Sequence, residues 1–222
     1  MDNTPDLLAQ ARAAFAAAGH TIENVRRDFP EWHRGRPHYA LWALDVDIAP
    51  VRHAMQAAGN HLGGLLLDGY RRQAHVTLAL CGFPCDTPQH ADDFGPAALA
   101  RQLAALEASG IEAFALHIGR LASFTSAPFL AVHDVDGGIA RLRHALTGSA
   151  AEPGGAYTPH VTVGLYAGAW PTAEVLPRLD AFEAGPPLCC TIDGVSLMRY
   201  AAPDIGGPLE TIGRFRFGHG FG

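Results

Sequence analysis

Gln73-Ala74-His75-Val76-Thr77-Leu78-Ala79-Leu80 and its echo, Thr158-Pro159-His160-Val161-Thr162-Val163-Gly164-Leu165, decide how the chain is read. Each is a His-Val-Thr set at the head of an apolar, β-branched run, the composition of a buried strand. Side chains alternate across a strand, so His75 and Thr77 share one face while Val76 takes the other, and His160 and Thr162 divide from Val161 in the same way. Each motif therefore presents an imidazole beside a hydroxyl. Two such strands facing one cleft supply two proton-transfer groups and two hydroxyl donors around a small anion, which is what phosphodiester chemistry requires. Of the 12 histidines, only these two are followed two positions later by Ser or Thr. A histidine that closes a strand end explains either motif alone; the pairing is what argues for a site.

The surroundings of the motifs also recur. Residues 39–47 read as a strand, 50–62 as a helix, then come the first His-Val-Thr strand, a helix over about 91–109 stopped by Gly110, and a strand over 114–121. The same order returns as a strand over 128–136, a helix over 139–146, the second His-Val-Thr strand, a helix over 172–182 and a strand over 191–199. Asp45-Val46-Asp47 precedes Arg52-His53-Ala54-Met55, and Asp134-Val135-Asp136 precedes Arg143-His144-Ala145-Leu146. Such matches in the same order, with the histidines 85 residues apart, point to a duplication. The expected fold is α+β, two similar lobes related by a pseudo-twofold axis, each lending one histidine to a shared cleft. Residues 1–37 stand outside it: Thr4-Pro5 opens an amphipathic helix that ends near Gly19, and 26–37 form a polar link carrying Arg26, Arg27, Trp32, His33, Arg34 and Arg36. Basic residues around an aromatic suit an RNA contact, although a solvated linker is the plainer reading. Residues 38–222 form the two-lobed domain.

Composition narrows the chemistry. With 222 residues, 48% hydrophobic and 17% charged, the chain is globular and long enough for a sizeable core. A net charge of -6 argues against a protein that coats nucleic acid electrostatically, while leaving a small or terminal nucleotide open as substrate. All 16 basic residues are arginine. The absence of lysine excludes a P-loop lysine, a Schiff base and a lysyl-nucleotide intermediate, and leaves histidine as acid and base. Cys81, Cys85, Cys189 and Cys190 fit neither a CxxC pair nor a zinc-finger spacing, so free thiols are expected. Without a signal-peptide pattern or an apolar run of spanning length, the expected setting is soluble and cytoplasmic. No carboxylate–histidine cluster shows ligand spacing, so neither metal nor other cofactor is expected.

Further candidates surround the motifs. Phe124 and Tyr157 are placed to stack on a base. Arg71 and Arg72, just before the first motif, are candidates to attract phosphate. Tyr166 falls by period two on the face of His160 and Thr162. Residues 149–159, rich in Gly, Ala and Pro, read as a loop able to gate the cleft.

These paired motifs resemble the 2H phosphoesterase superfamily, above all its bacterial branch of 2'-5' RNA ligases or RNA 2',3'-cyclic phosphodiesterases. His75-Val76-Thr77-Leu78 and Pro159-His160-Val161-Thr162-Val163 match its two signatures. The likeness runs from about Tyr39 to Phe217, and Leu116-His117-Ile118-Gly119-Arg120-Leu121-Ala122-Ser123-Phe124 is similar to the family's connection between lobes. Many members carry an arginine soon after the second motif, where this chain has Gly164-Leu165-Tyr166. The resemblance implies two pseudo-symmetric lobes with antiparallel sheets facing a central cleft. It also implies metal-independent hydrolysis of a 2',3'-cyclic phosphate, on an RNA 3' end or a small cyclic nucleotide, to a 2'-phosphate. In that scheme His75 is the general acid, His160 the general base, and Thr77 and Thr162 donate to the non-bridging oxygens. The residues themselves leave the acid and base roles open, because the motifs are nearly identical. ATP-independent 2'-5' ligation, or cleavage of a 2'-5' linkage, would use the same two histidines. A non-catalytic module that binds RNA ends is the reading from another class, and a histidine metal site a third. Oligomeric state is not legible.

Overall fold

The computed structural model describes residues 4–148 and 157–222. The expected gating loop lies mostly outside them, since 149–156 are not described. In chain order the elements are α1 (Thr4–Ala17), α2 (Pro30–His33), β1 (His38–Asp45), α3 (Ala49–His61), β2 (His75–Pro84), β3 (Asp93–Phe94), α4 (Pro96–Ala108), β4 (Phe114–Ser123), β5 (Pro128–Asp134), α5 (Gly138–Thr147), β6 (His160–Thr162), α6 (Thr172–Asp180), β7 (Leu188–Ile192), β8 (Gly194–Ala201), β9 (Glu210–Arg216) and β10 (Gly220–Phe221).

Two sheets carry the fold. The larger runs β10-β9-β8-β1-β2-β3 and the smaller β6-β5-β4-β7, antiparallel throughout except for the short β2–β3 pair. The α+β architecture of two facing lobes is as the sequence suggests, but the strands are shared between lobes. β4, the last strand of the first repeat, pairs with β5 of the second; β8, the last of the second, pairs with β1 of the first. Each repeat therefore completes the other's sheet. One continuous core follows, joining Trp42, Leu44, Val76 and Leu78 of the larger sheet to Leu116, Ile118, Leu130, Val132 and Val161 of the smaller. Trp42 is fully buried, and its indole N–H donates to Gln102 Oε1 at 2.8 Å, so its one polar atom is satisfied.

Two local expectations fail. The helix assigned from residue 91 starts at Pro96, because 93–94 pair with β2 as β3 and Gly95 precedes the helix in an extended conformation. The strand assigned to 191–199 is two strands in different sheets, β7 against β4 and β8 against β1. The switch occurs at Asp193-Gly194, where β8 crosses so close to β9 that a Cβ on Gly194 would lie 2.5 Å from the Phe215 carbonyl oxygen. Period-two patterning cannot see a change of sheet.

The N-terminal segment is docked rather than loose. α1 packs on β4 and α6, with Phe15 stacked on Tyr166 and a bidentate Arg12–Asp180 ion pair at its rim. Thr21, Ile22 and Asn24 then donate backbone N–H groups to Trp170, Thr125 and Tyr166. His33 is buried, and Arg36 reaches Asp92 and Asp93 at 2.7 Å, so residues 19–36 strap both lobes. All four cysteines are unpaired. No described helix is long and apolar enough to cross a membrane.

Candidate active site

β6, the edge strand of the smaller sheet, and β2, next to the short edge strand β3 of the larger, approach each other across the cleft. Each histidine opens its strand, and each Nδ1 meets the backbone carbonyl two residues upstream: His75 that of Gln73 at 2.7 Å, His160 that of Thr158 at 2.8 Å. A carbonyl only accepts, so Nδ1 carries the proton and the Nε2 lone pair is left for chemistry. The same three-residue device is built twice, which is how a short motif fixes a tautomer without help from the rest of the fold.

The surroundings differ. His75 is 6% exposed, and burial pushes its pKa down to about 4, with Arg72 and His160 lowering it further and the Gln73 bond opposing. His160 is half-buried among aromatic rings, with Phe124 edge-on at 4.9 Å and Phe129 at 5.3 Å; its pKa is also lowered by burial, against the Thr158 bond. Both imidazoles are thus neutral near pH 7. Thr77 and Thr162 are half-exposed on the same strand faces as their histidines.

The other candidates separate. Arg72 lies beside His75, its guanidinium 4.1 Å above the Tyr200 ring, and its Nε has no hydrogen-bond partner. Arg71 is engaged in an exposed ion pair with Asp204 at 2.7 Å. Phe124 stands against His160. Tyr157 lies under the Arg143 guanidinium at 3.5 Å and donates its hydroxyl to the Thr77 carbonyl, bracing the first motif from the second lobe.

Tyr166 does not line the cleft. It is fully buried in the cluster with Phe15, Leu62 and Val175, and its hydroxyl meets Ser123 Oγ at 2.7 Å. The alternation that placed it beside Thr162 stops where β6 stops. A Cβ on Gly164 would sit 3.0 Å from Leu66 Cδ1, and Leu65 to Leu67 pair with 165–167, so the chain turns away. From below, Tyr166 holds the Ser123 turn that presents Phe124.

Tyr70 and Tyr200 escaped the sequence reading. Tyr70 lies with its hydroxyl toward the Thr162 side chain; burial raises its pKa to about 12, against the pull of Arg72 and of that contact. It also lines, with Arg72, Gln73, Gln56 and Asn60, a cavity of about 450 Å³ beside the first motif. Tyr70 sits in an irregular loop and Tyr200 at a strand end remote in sequence, so neither periodicity nor motif marks them; the adjacency Tyr70-Arg71-Arg72 was the one available signal. Among the described residues, no three His, Cys, Asp or Glu side chains converge as a metal site.

With this geometry in place, the comparisons fit. The structure of LigT from E. coli complexed with 3'-AMP superposes with a TM-score of 0.54, at 14% identity, covering 82% of this chain and 99% of that one. LigT in its apo form gives 0.52 at 14% identity, covering 82% and 98%. TT0787 of Thermus thermophilus gives 0.49 at 18% identity, covering 81% and 97%. No curated protein sequence matches the chain. At these identities the structures speak for the fold alone, but the family model described as the 2'-5' RNA ligase superfamily matches residues 47–204, both His-Val-Thr motifs included. The chain belongs to the 2'-5' RNA ligase superfamily, a family of 2H phosphoesterase-type enzymes.

Proposed function

We propose that the protein hydrolyses the 2',3'-cyclic phosphate of an RNA 3' end or small nucleotide to a 2'-phosphate, by acid and base catalysis from two histidines and without a metal. The observation that carries the reading is the pair of Nδ1-anchored imidazoles, one per lobe, with Arg72 beside one of them. His160 Nε2 takes a proton from water as its oxygen attacks phosphorus. The P–O3' bond breaks, and His75 returns a proton to O3', leaving a 2'-phosphate and a free 3'-hydroxyl. A neutral resting His75 acquires its proton once the substrate anion is bound, because a nearby negative charge favours imidazolium. The acid role for His75 and the base role for His160 follow the resemblance to the superfamily, since burial lowers the pKa of both imidazoles.

Thr77 and Thr162 donate to the non-bridging oxygens as charge builds, and the unpartnered Arg72 Nε takes the place of the arginine that many relatives carry after the second motif. That LigT has been crystallised in complex with 3'-AMP supports a small nucleotide as the ligand here.

The test is turnover of 2',3'-cyclic nucleotides, and of a short RNA ending in a cyclic phosphate, with chelator present. The expected product is the 2'-phosphate alone. A 3'-phosphate product, or activity abolished by chelator and restored by a divalent cation, overturns the mechanism. Tight binding of RNA ends with no turnover replaces it by a binding module.

A further inference from the structure

The face of the larger sheet that carries His75 also carries an aromatic track unused by the two-histidine chemistry. Strand pairing sets His75 opposite Asp45 and Thr77 opposite Ala43; along the same face Leu80 lies opposite Leu41 and Tyr200 opposite Tyr39. Starting beside His75, the Arg72 guanidinium covers Tyr200 at 4.1 Å, Tyr200 lies 5.7 Å from Tyr39, and Tyr39 lies 5.2 Å from Trp32 on α2. Trp32 is 38% exposed and Leu80 67%, with Tyr39 and Tyr200 half-exposed, so the strip is open to solvent at its outer end, while Leu41, Ala43 and Met198 of the same face are buried with Leu209. Trp32 and Tyr39 lie outside the residues matched by the family model.

We propose that this track binds the bases of about two or three nucleotides upstream of the terminal phosphate of single-stranded RNA, making the chain selective for RNA ends over mononucleotides. The proposal rests on the phosphodiesterase reading above, which supplies the ribose: only RNA forms a 2',3'-cyclic phosphate. With Tyr200 under Arg72, the tilted rings of Trp32 and Tyr39, 5.2 Å apart, offer the π-faces on which any base can stack, while bases paired in a duplex cannot reach them. Charge sets the character of the contact. Arg36, at the far end over Phe83, is already held by Asp92 and Asp93, leaving Arg72 and the exposed Arg34 to meet phosphates. Binding is therefore driven by stacking, with a salt dependence corresponding to about two phosphates rather than the steep slope of a basic groove.

The experiment compares kcat/KM for a 2',3'-cyclic mononucleotide with that for a tetranucleotide ending in the same group. Beside it runs a titration of tryptophan fluorescence with a tetranucleotide ending in a 3'-hydroxyl. The tetranucleotide is expected to be preferred by roughly tenfold or more, and Trp32→Leu to lower that ratio by about fivefold or more. Leu80→Glu, which leaves the packing of α2 intact, should lower it in the same direction. RNA should quench the fluorescence saturably, and Trp32→Leu should remove the quench. Equal kcat/KM for the two substrates, a ratio that neither variant moves, or quenching as strong with duplex RNA overturns the track. If neither substrate turns over, the phosphodiesterase reading fails, and the titration still decides the track: saturable quenching upholds it and none overturns it.

Discussion

His75 and His160 each commit Nδ1 to the carbonyl two residues upstream, yet the shells around them have little else in common. In the first half the accepting residue is itself gripped. The Gln73 side chain both donates to the Leu209 carbonyl at 2.9 Å and accepts from its N–H at 2.8 Å, and the Asp45 carboxylate stands opposite His75 across the strand pair. In the second half Ala131 stands opposite His160, and aromatic rings replace the charges. The two halves share the part that three residues encode, the tautomer, and differ in the part that tertiary neighbours supply, the electrostatics. In the proposed mechanism acid and base are distinguished by surroundings rather than by motif, and this asymmetry can be probed at four places.

The largest effect should come from the histidines. His75→Asn and His160→Asn are each expected to lower kcat/KM by about 10²- to 10⁴-fold on the cyclic phosphate, with the double variant little worse than the poorer single one, because the two act as a unit. Steady-state kinetics on the three variants checks this. A substrate with a strongly acidic leaving group separates the roles: such a group needs no proton, so the acid variant alone should regain rate. Recovery by His160→Asn instead of His75→Asn would exchange the roles.

The pH dependence of stability comes next. His75 titrates at about 4 in the fold and at 6.5 unfolded, so between those values the unfolded chain binds more protons and stability falls as pH falls. Its share of the loss between pH 6.5 and 4 is about 3 kcal/mol. Denaturant midpoints across that range should drop more steeply for the native chain than for His75→Asn. The same depressed values place the singly protonated pair, and hence the optimum of kcat/KM, below pH 6.5. An optimum above that would mean the free cleft does not desolvate its imidazoles.

Arg72 and Arg71, neighbours in sequence, provide a comparison in miniature. Arg72→Gln removes a buried donor beside His75 and should lower kcat/KM by about 10- to 100-fold. Arg71→Gln breaks an exposed pair with Asp204 and should leave kinetics within about twofold. Equal losses would mean that both supply charge at a distance and neither contacts substrate.

How much of this was legible follows from where the information sits. The His-Val-Thr strands, the helices flanking them and the two-lobed plan were readable because periodicity and short motifs are local. The exchange of β4 and β8 between sheets was not, since a strand carries no mark of its partner and Gly194 reveals the crossing only once Phe215 lies against it. Tyr166 was misplaced by extending alternation past the end of β6, and Arg71 and Arg72 were indistinguishable until Asp204 claimed one of them. Tyr70 and Tyr200 reach the cleft through a loop and a strand end distant in sequence, where no pattern points to them.

The smallest effects test whether the halves brace each other. Tyr157, three residues before His160, donates to the Thr77 carbonyl, and Tyr70, five residues before His75, faces Thr162. The partners differ in kind. Thr77 offers a backbone acceptor, so Tyr157→Phe leaves a carbonyl without its donor and should cost about 1 kcal/mol of stability, read as a shifted denaturant midpoint, with kcat nearly unchanged. Thr162 offers the hydroxyl proposed to meet phosphate, so Tyr70→Phe should lower kcat severalfold, about what one neutral hydrogen bond is worth, with little change in the midpoint. If both variants move the same observable, the two tyrosines are equivalent struts, and the asymmetry of the cleft lies in the histidines alone.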